Sequence, residues 1–162
     1  MISHKSHHYD LRFSIITCSS TRTKDDDDSG KTLLEFLEKL NIPVTEYMVV
    51  RDNISDITAA VRKCLENSDA VVLTGGTGIS KYDVTVHAVS AIAQKEIGGF
   101  SVQFQILSQK EVGSSAMLSS SSAFVVEGKP VFCLPGSPGG ALLGLRDLII
   151  PEIDHIKYEL SK

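Results

Sequence analysis

A chain of 162 residues, 42% hydrophobic and with a mean hydropathy of +0.05, has the composition of one ordinary globular domain. Its net charge of −4 argues against a general affinity for nucleic acid, so any anion site has to be local and built from backbone amides. No apolar run reaches membrane-spanning length, no signal peptide is visible, and the scattered Cys18, Cys64 and Cys133 form no C-x-x-C pair, so buried thiols in a reducing, cytoplasmic setting are expected.

Residues 1–10 are polar and aperiodic and read as a flexible tail, His4, His7 and His8 included, leaving 11–162 as a single domain. Arg12 to Cys18 reads as a first strand, ending in the polar cluster Ser19-Ser20-Thr21-Arg22. The acidic run Asp25 to Asp28 suits the positive end of the helix that follows. Leu33, Leu34, Phe36, Leu37 and Leu40 give that helix an apolar face, with Ser29 or Asp28 as its expected N-cap. Asn41 and Pro43 stop it. Val44 to Val50 is a second strand, and Ile54, Ile57, Val61 and Leu65 mark a second helix. Asp52 stands between them, at a strand end where ligands of open α/β sheets gather; capping the next helix is its plainer use.

The centre of the chain is Ala70 to Val86. Ala70-Val71-Val72-Leu73 is short, apolar and rich in β-branched residues, as a strand buried on both faces should be. Gly75, Gly76 and Gly78 follow, then the tip Ile79-Ser80-Lys81-Tyr82, then Asp83 and a helical pattern of Val84, Ala88, Val89 and Ile92. Strand, glycine-rich turn and helix start deliver N–H groups to an anion, the glycines letting the chain pass close to a ligand. The carboxylate of Asp83 would repel a phosphate unless a cation lay between them, which favours a Mg²⁺-nucleotide or another metal-bridged phosphate. No Gly-Lys-Ser/Thr follows, and the glycine spacing is not that of a dinucleotide loop.

Ala88 to Ile97 is expected to be helical and Gly98-Gly99 to break it. Phe100, Phe104 and Leu107 then fit one helix face, with a short strand as the alternative. Ser119 to Ser122 reads as a turn or helix end. Ala123 to Val126 and Lys129 to Leu134 flank Glu127-Gly128 as a hairpin. Pro135 to Gly140 is a second glycine-rich loop, or merely a connecting turn, before a helix of Leu142, Leu143, Leu145 and Leu148. Pro151 fits the first turn of the final helical stretch. The sum is a three-layer α/β/α domain with a mostly parallel sheet and one antiparallel hairpin. Both glycine-rich loops and Asp52 lie at C-terminal strand ends, able to meet in one crevice for a phosphorylated ligand.

Three blocks carry a resemblance: Gly75-Gly76-Thr77-Gly78 followed by Asp83-Val84-Thr85, Asp27-x-Ser29-Gly30, and Leu134-Pro135-Gly136-Ser137-Pro138. Together they resemble the molybdenum cofactor biosynthesis family known as MoaB/MogA over nearly the whole chain. The resemblance implies Mg²⁺-dependent adenylylation of molybdopterin with ATP as co-substrate, a homotrimer or homohexamer, and a downstream enzyme that inserts molybdate or tungstate. The sparsely charged stretch Val112 to Leu145 agrees with an oligomer. The resemblance also implies roles. Asp83 and Asp52 would be catalytic carboxylates, Asp83 holding the metal; Gly75, Gly76, Thr77 and Gly78 would take the nucleotide's phosphates. Ser29 and Gly30 would shape the rim, and Gly136, Ser137 and Pro138 would face the pterin. This chain departs from the pattern with Tyr82 and Ser120 where arginines are usual and Phe124 where a small residue is usual; Lys81 could offset the first loss. The alternatives are a non-catalytic pterin- or nucleotide-binding or partner-docking protein, and a related nucleotide-cleaving domain. Retention of both carboxylates favours the enzyme.

Overall fold

Alternating side chains on six strands build this molecule. The computed structural model describes residues 10–162. The expected tail therefore lies, apart from Asp10, outside the described residues. In chain order the elements are β1 (Phe13–Cys18), α1 (Asp28–Lys39), β2 (Val44–Val50), α2 (Ile54–Asn67), β3 (Ala70–Thr74), α3 (Thr85–Ile92), β4 (Lys95–Glu96), α4 (Gly98–Val112), β5 (Ser122–Val126), β6 (Lys129–Leu134), α5 (Pro138–Gly144) and α6 (Ile150–Leu160). They form one sheet in the order β2-β1-β3-β6-β5-β4. β2, β1, β3 and β6 pair in parallel, while β5 and β4 run antiparallel to their neighbours.

Strand periodicity divides the core into two layers. Phe13, Ile15, Ala70, Val72, Phe132 and Leu134 face α1, α4, α5 and α6. Ile16, Cys18, Val71, Leu73, Val131 and Cys133 face α2 and α3. β1 and β3 are buried along their whole length, which explains the unbroken apolar run Ala70 to Leu73 of β3. Phe132 is fully enclosed and packs 5.5 Å from Phe100 on α4. Truncating such a ring to Ala costs about 3–5 kcal/mol.

The three-layer architecture and the hairpin stand as expected. Glu127 and Gly128 both have positive φ, 51° and 74°, the backbone that a two-residue hairpin turn demands. Three local expectations need correction. The helix after the central loop ends at Ile92 rather than Ile97, because Lys95 and Glu96 add to the sheet edge beside Val125 and Phe124. Gly98 and Gly99 open α4 instead of breaking a helix, and Phe100 and Phe104 are its buried face. The cap of α1 is Asp27, not Asp28 or Ser29: its carboxylate accepts the Gly30 N–H at 3.0 Å. Near the C-terminus, α5 reaches α6 through a π turn, Leu145–Ile149, in which the Ile150 N–H bonds back to Leu145. The wider turn sits just before Pro151, which has no N–H to extend the ladder.

Candidate functional site

Parallel pairing sends the ends of β1, β2, β3 and β6 to one edge of the sheet, with Cys18 beside Val50 and Thr74 beside Leu134. The loops after these strands enclose a crevice of about 460 Å³. Asp52, Gly75, Gly76, Asp83, Gly136 and Ser137 all line it, so residues spread over the chain meet in space. A second cavity of about 930 Å³ lies at the opposite edge, between Pro43, Asp69 and Ile153. β1, β2 and β3 begin beside that one, and no glycine lines it. In open sheets ligands bind beyond the carboxyl ends of strands, which singles out the smaller crevice.

Each carboxylate is held by a short loop. Asp52 Oδ2 accepts the Ser20 N–H at 2.9 Å and its hydroxyl at 3.1 Å, while the Asp52 N–H returns a bond to Ser20 Oγ. Its alternative role as a cap is taken by Asn53, whose side chain accepts the Asp56 N–H. Asp83 Oδ2 accepts the Ser80 N–H at 2.9 Å, and the Asp83 N–H closes the same turn on the Ser80 carbonyl. Asp83 does not cap α3, where Val84 holds the cap position.

The glycines also have a conformational reason to be there. Gly75 and Gly76 have φ of +92° and +70°, which L side chains rarely adopt. A Cβ on Gly75 would press on the Cys18 carbonyl, and one on Gly76 on the Thr85 side chain. At Gly78 it would approach Asp83 Oδ2 to 2.8 Å. The loop is thus folded tightly against its own chain, and its shape is what aims Asp83. Gly136 touches the same loop, its Cβ direction only 3.4 Å from the Gly75 Cα.

Other expected site residues lie beside the crevice and support it. Thr77 is buried and shares a 2.9 Å hydrogen bond with Ser119, and the Ser120 N–H donates to the Thr77 carbonyl. Ser29 and Gly30 are buried beneath the rim. The Ser29 hydroxyl donates to the Gly136 carbonyl at 2.5 Å, anchoring the second loop. The Gly30 Cβ direction is filled by Asp27 and Tyr47. Pro138 is the first residue of α5 after the cap Ser137 and lies outside the crevice lining, as does Gly78.

Thr17, Thr21, Thr74 and Arg22 also line the crevice without any motif marking them, and Cys18 forms part of its wall. Thr74 ends the buried β3, where sequence shows only a polar residue closing an apolar run. Of the two cations between β1 and α1, Arg22 and Lys24, only Arg22 lines the crevice. The expected block Asp27 to Gly30 owes its importance to a buried junction: Asp27 Oδ2 accepts from Thr17 Oγ1 at 2.6 Å and Tyr47 OH at 2.5 Å, tying α1, β1 and β2 together. Burial and the Asp27 charge push the Tyr47 phenol well above its usual range. Burial, joined by the Asp52 charge and opposed by the Thr85 hydroxyl, pushes the Cys18 thiol up to about 12, so it is no nucleophile at neutral pH.

Asp52 and Asp83 outweigh Arg22 in this crevice, so a polyphosphate needs an accompanying cation to enter. Among the described residues no group of three or more His, Cys, Asp or Glu is placed to hold a metal alone. Two carboxylates amid hydroxyls are nevertheless a fitting donor set for Mg²⁺, which is bound through one or two carboxylates with the rest of its shell from phosphates and water.

A family model described as "Probable molybdopterin binding domain" matches residues 14–155. Molybdenum cofactor biosynthesis protein B of Bacillus cereus is 44% identical over 156 residues, covering 94% of this chain and 92% of that protein. A crystal structure of a molybdenum cofactor biosynthesis protein B superposes with a TM-score of 0.89 at 44% identity, over 93% of this chain and 96% of the other. That of the tungsten cofactor synthesizing protein MoaB from Pyrococcus furiosus gives 0.86 at 31% identity, over 94% and 98%. Matched by the family model over most of its length and by relatives over more than nine-tenths of theirs, the chain belongs to the MoaB/MogA family of molybdenum cofactor biosynthesis proteins.

Proposed function

We propose that this chain adenylylates molybdopterin in molybdenum or tungsten cofactor biosynthesis, using Mg-ATP. A phosphate oxygen of the pterin attacks the α-phosphorus of ATP; a new P–O bond forms, the bond to the bridging β-phosphate oxygen breaks, and pyrophosphate leaves. The observation that carries this reading is the meeting of two glycine-rich loops with Asp52 and Asp83 in a crevice that a bare polyphosphate would avoid. In such chemistry the protein positions two phosphates and offsets their charge. Asp83 and Asp52 would hold Mg²⁺, which supplies positive charge to the reacting phosphates. The Gly75–Gly76 turn and Arg22 receive the nucleotide's phosphates, while Gly136 and Ser137 form the wall on the pterin side. Thr77, Gly78, Ser29, Gly30 and Pro138 brace these loops.

A homotrimer or homohexamer and a downstream metal-inserting enzyme complete the proposal. A second reading, a pterin- or nucleotide-binding protein without turnover, draws on the placement of cations: Lys81 Nζ lies over the Tyr82 ring, 5.1 Å from its centroid, and is not part of the crevice lining. Incubation with ATP, Mg²⁺ and molybdopterin decides between them. Pyrophosphate released in step with adenylylated pterin supports the transferase; binding of both ligands without pyrophosphate would leave the binding protein.

A further inference from the structure

Tyr82 is the aromatic residue in the crevice lining, and it is 65% exposed. Its backbone is firmly held. The Tyr82 N–H donates to Ser80 Oγ at 3.2 Å, inside the turn closed by the Asp83 N–H on the Ser80 carbonyl and by the Ser80 N–H on Asp83 Oδ2. The turn that aims the Asp83 carboxylate therefore also fixes the root of the Tyr82 side chain. Lys81 Nζ covers the ring at 5.1 Å from the centroid, which orients the ring while most of its surface stays open. Elsewhere the lining consists of hydroxyls, glycines, carboxylates, the Cys18 thiol and one guanidinium, none of which offers a flat apolar surface.

We propose that Tyr82 is the stacking platform for the planar nitrogen heterocycle of the bound ligand, and so the residue that separates a ring-bearing phosphate from a bare polyphosphate. This rests on the nucleotide-and-pterin reading above and extends it to ligand selection. Stacking suits either ring, because every such heterocycle presents a π face; the carboxylates and loop amides take the phosphates in both cases.

Calorimetry in Mg²⁺ buffer with ATP, molybdopterin and inorganic tripolyphosphate tests this on the wild type, Tyr82→Ala and Tyr82→Phe. The side chain is exposed, so both variants fold. Tyr82→Ala should weaken at least one ring-bearing ligand by about 5- to 100-fold and leave tripolyphosphate unchanged. Tyr82→Phe should match the wild type, showing that the ring and not the hydroxyl acts. The ATP and molybdopterin arms tell which heterocycle is stacked. Unchanged ring-ligand affinity in Tyr82→Ala, or an equal loss for tripolyphosphate, would overturn the platform and leave the nucleotide reading standing. A wild type that binds neither ATP nor molybdopterin would remove the nucleotide reading itself, and the platform with it.

Discussion

Asp83 bonds to its own loop and lines the crevice, and these two attachments make separable forecasts. In Asp83→Asn the side-chain oxygen can still accept the Ser80 N–H, so the turn and the melting temperature should hold. The negative charge is gone, and pyrophosphate release should fall by orders of magnitude. Near-normal turnover in that variant would reduce Asp83 to a loop brace. Gly76 answers in the opposite way. With φ at +70° and Thr85 filling its Cβ direction, Gly76→Ala brings strain and displacement of a buried side chain. A cost of about 2 kcal/mol should lower the melting temperature by about 4–8 °C, along with ligand binding. Gly139→Ala is the control, since nothing lies within 4 Å of its Cβ direction. Equal melting of the two variants would refute the packing role given to Gly76.

Far from the crevice, one carboxylate ties three elements together. Asp69, just before β3, accepts from Lys157 of α6 at 2.9 Å and from the Arg12 amide at 2.9 Å and guanidinium at 3.2 Å, just before β1. Burial pushes Asp69 up, but these donors outweigh it and hold the carboxyl below its ordinary value. A carboxylate depressed in the folded state stabilises fully above the unfolded Asp value, and that stability is lost as pH falls through the lower, folded value. Urea unfolding followed from about pH 6 to about pH 2 should therefore show a wild-type advantage over Asp69→Asn that is constant at the upper end and disappears in the acid limb. A constant difference across the whole range would show that the clamp is not electrostatic.

At the scale of the whole molecule, the apolar stretch from Val112 to Leu145 is largely accounted for by the core. β5 and β6, within it, are buried at every position but Lys129. Val112, Met117 and Leu118 at the start of that stretch stay exposed, as do Val102 and Ile106 of α4. An oligomer would use such a surface. Light scattering at micromolar concentration should give three or six times the 17.5 kDa chain mass, and Ile106→Glu should reduce it. A monomer mass for the wild type would end the proposal of a trimer or hexamer. Among the described residues no helix is long and apolar enough to cross a membrane.

The strands other than the exposed edge pair Lys95-Glu96, the parallel sheet and the hairpin were legible in the chain because burial on one or both faces of a pleated strand writes directly into residue order, as in Ala70 to Leu73 and Ala123 to Val126. The glycine-rich blocks were legible too, since positive φ at Gly75 and Gly76 admits few other residues. Sequence alone could not assign work within those blocks. Thr77, Ser29 and Gly30 look like site residues in a motif but turn inward, because their partners Ser119, Gly136 and Tyr47 are distant in the chain. Thr17, Thr21 and Arg22 look ordinary and reach the crevice because parallel strands bring their C-terminal ends and the loops after them to one edge. Residue order determines which backbone conformations and burial patterns are possible; the side a polar group faces depends on neighbours that only the folded sheet supplies.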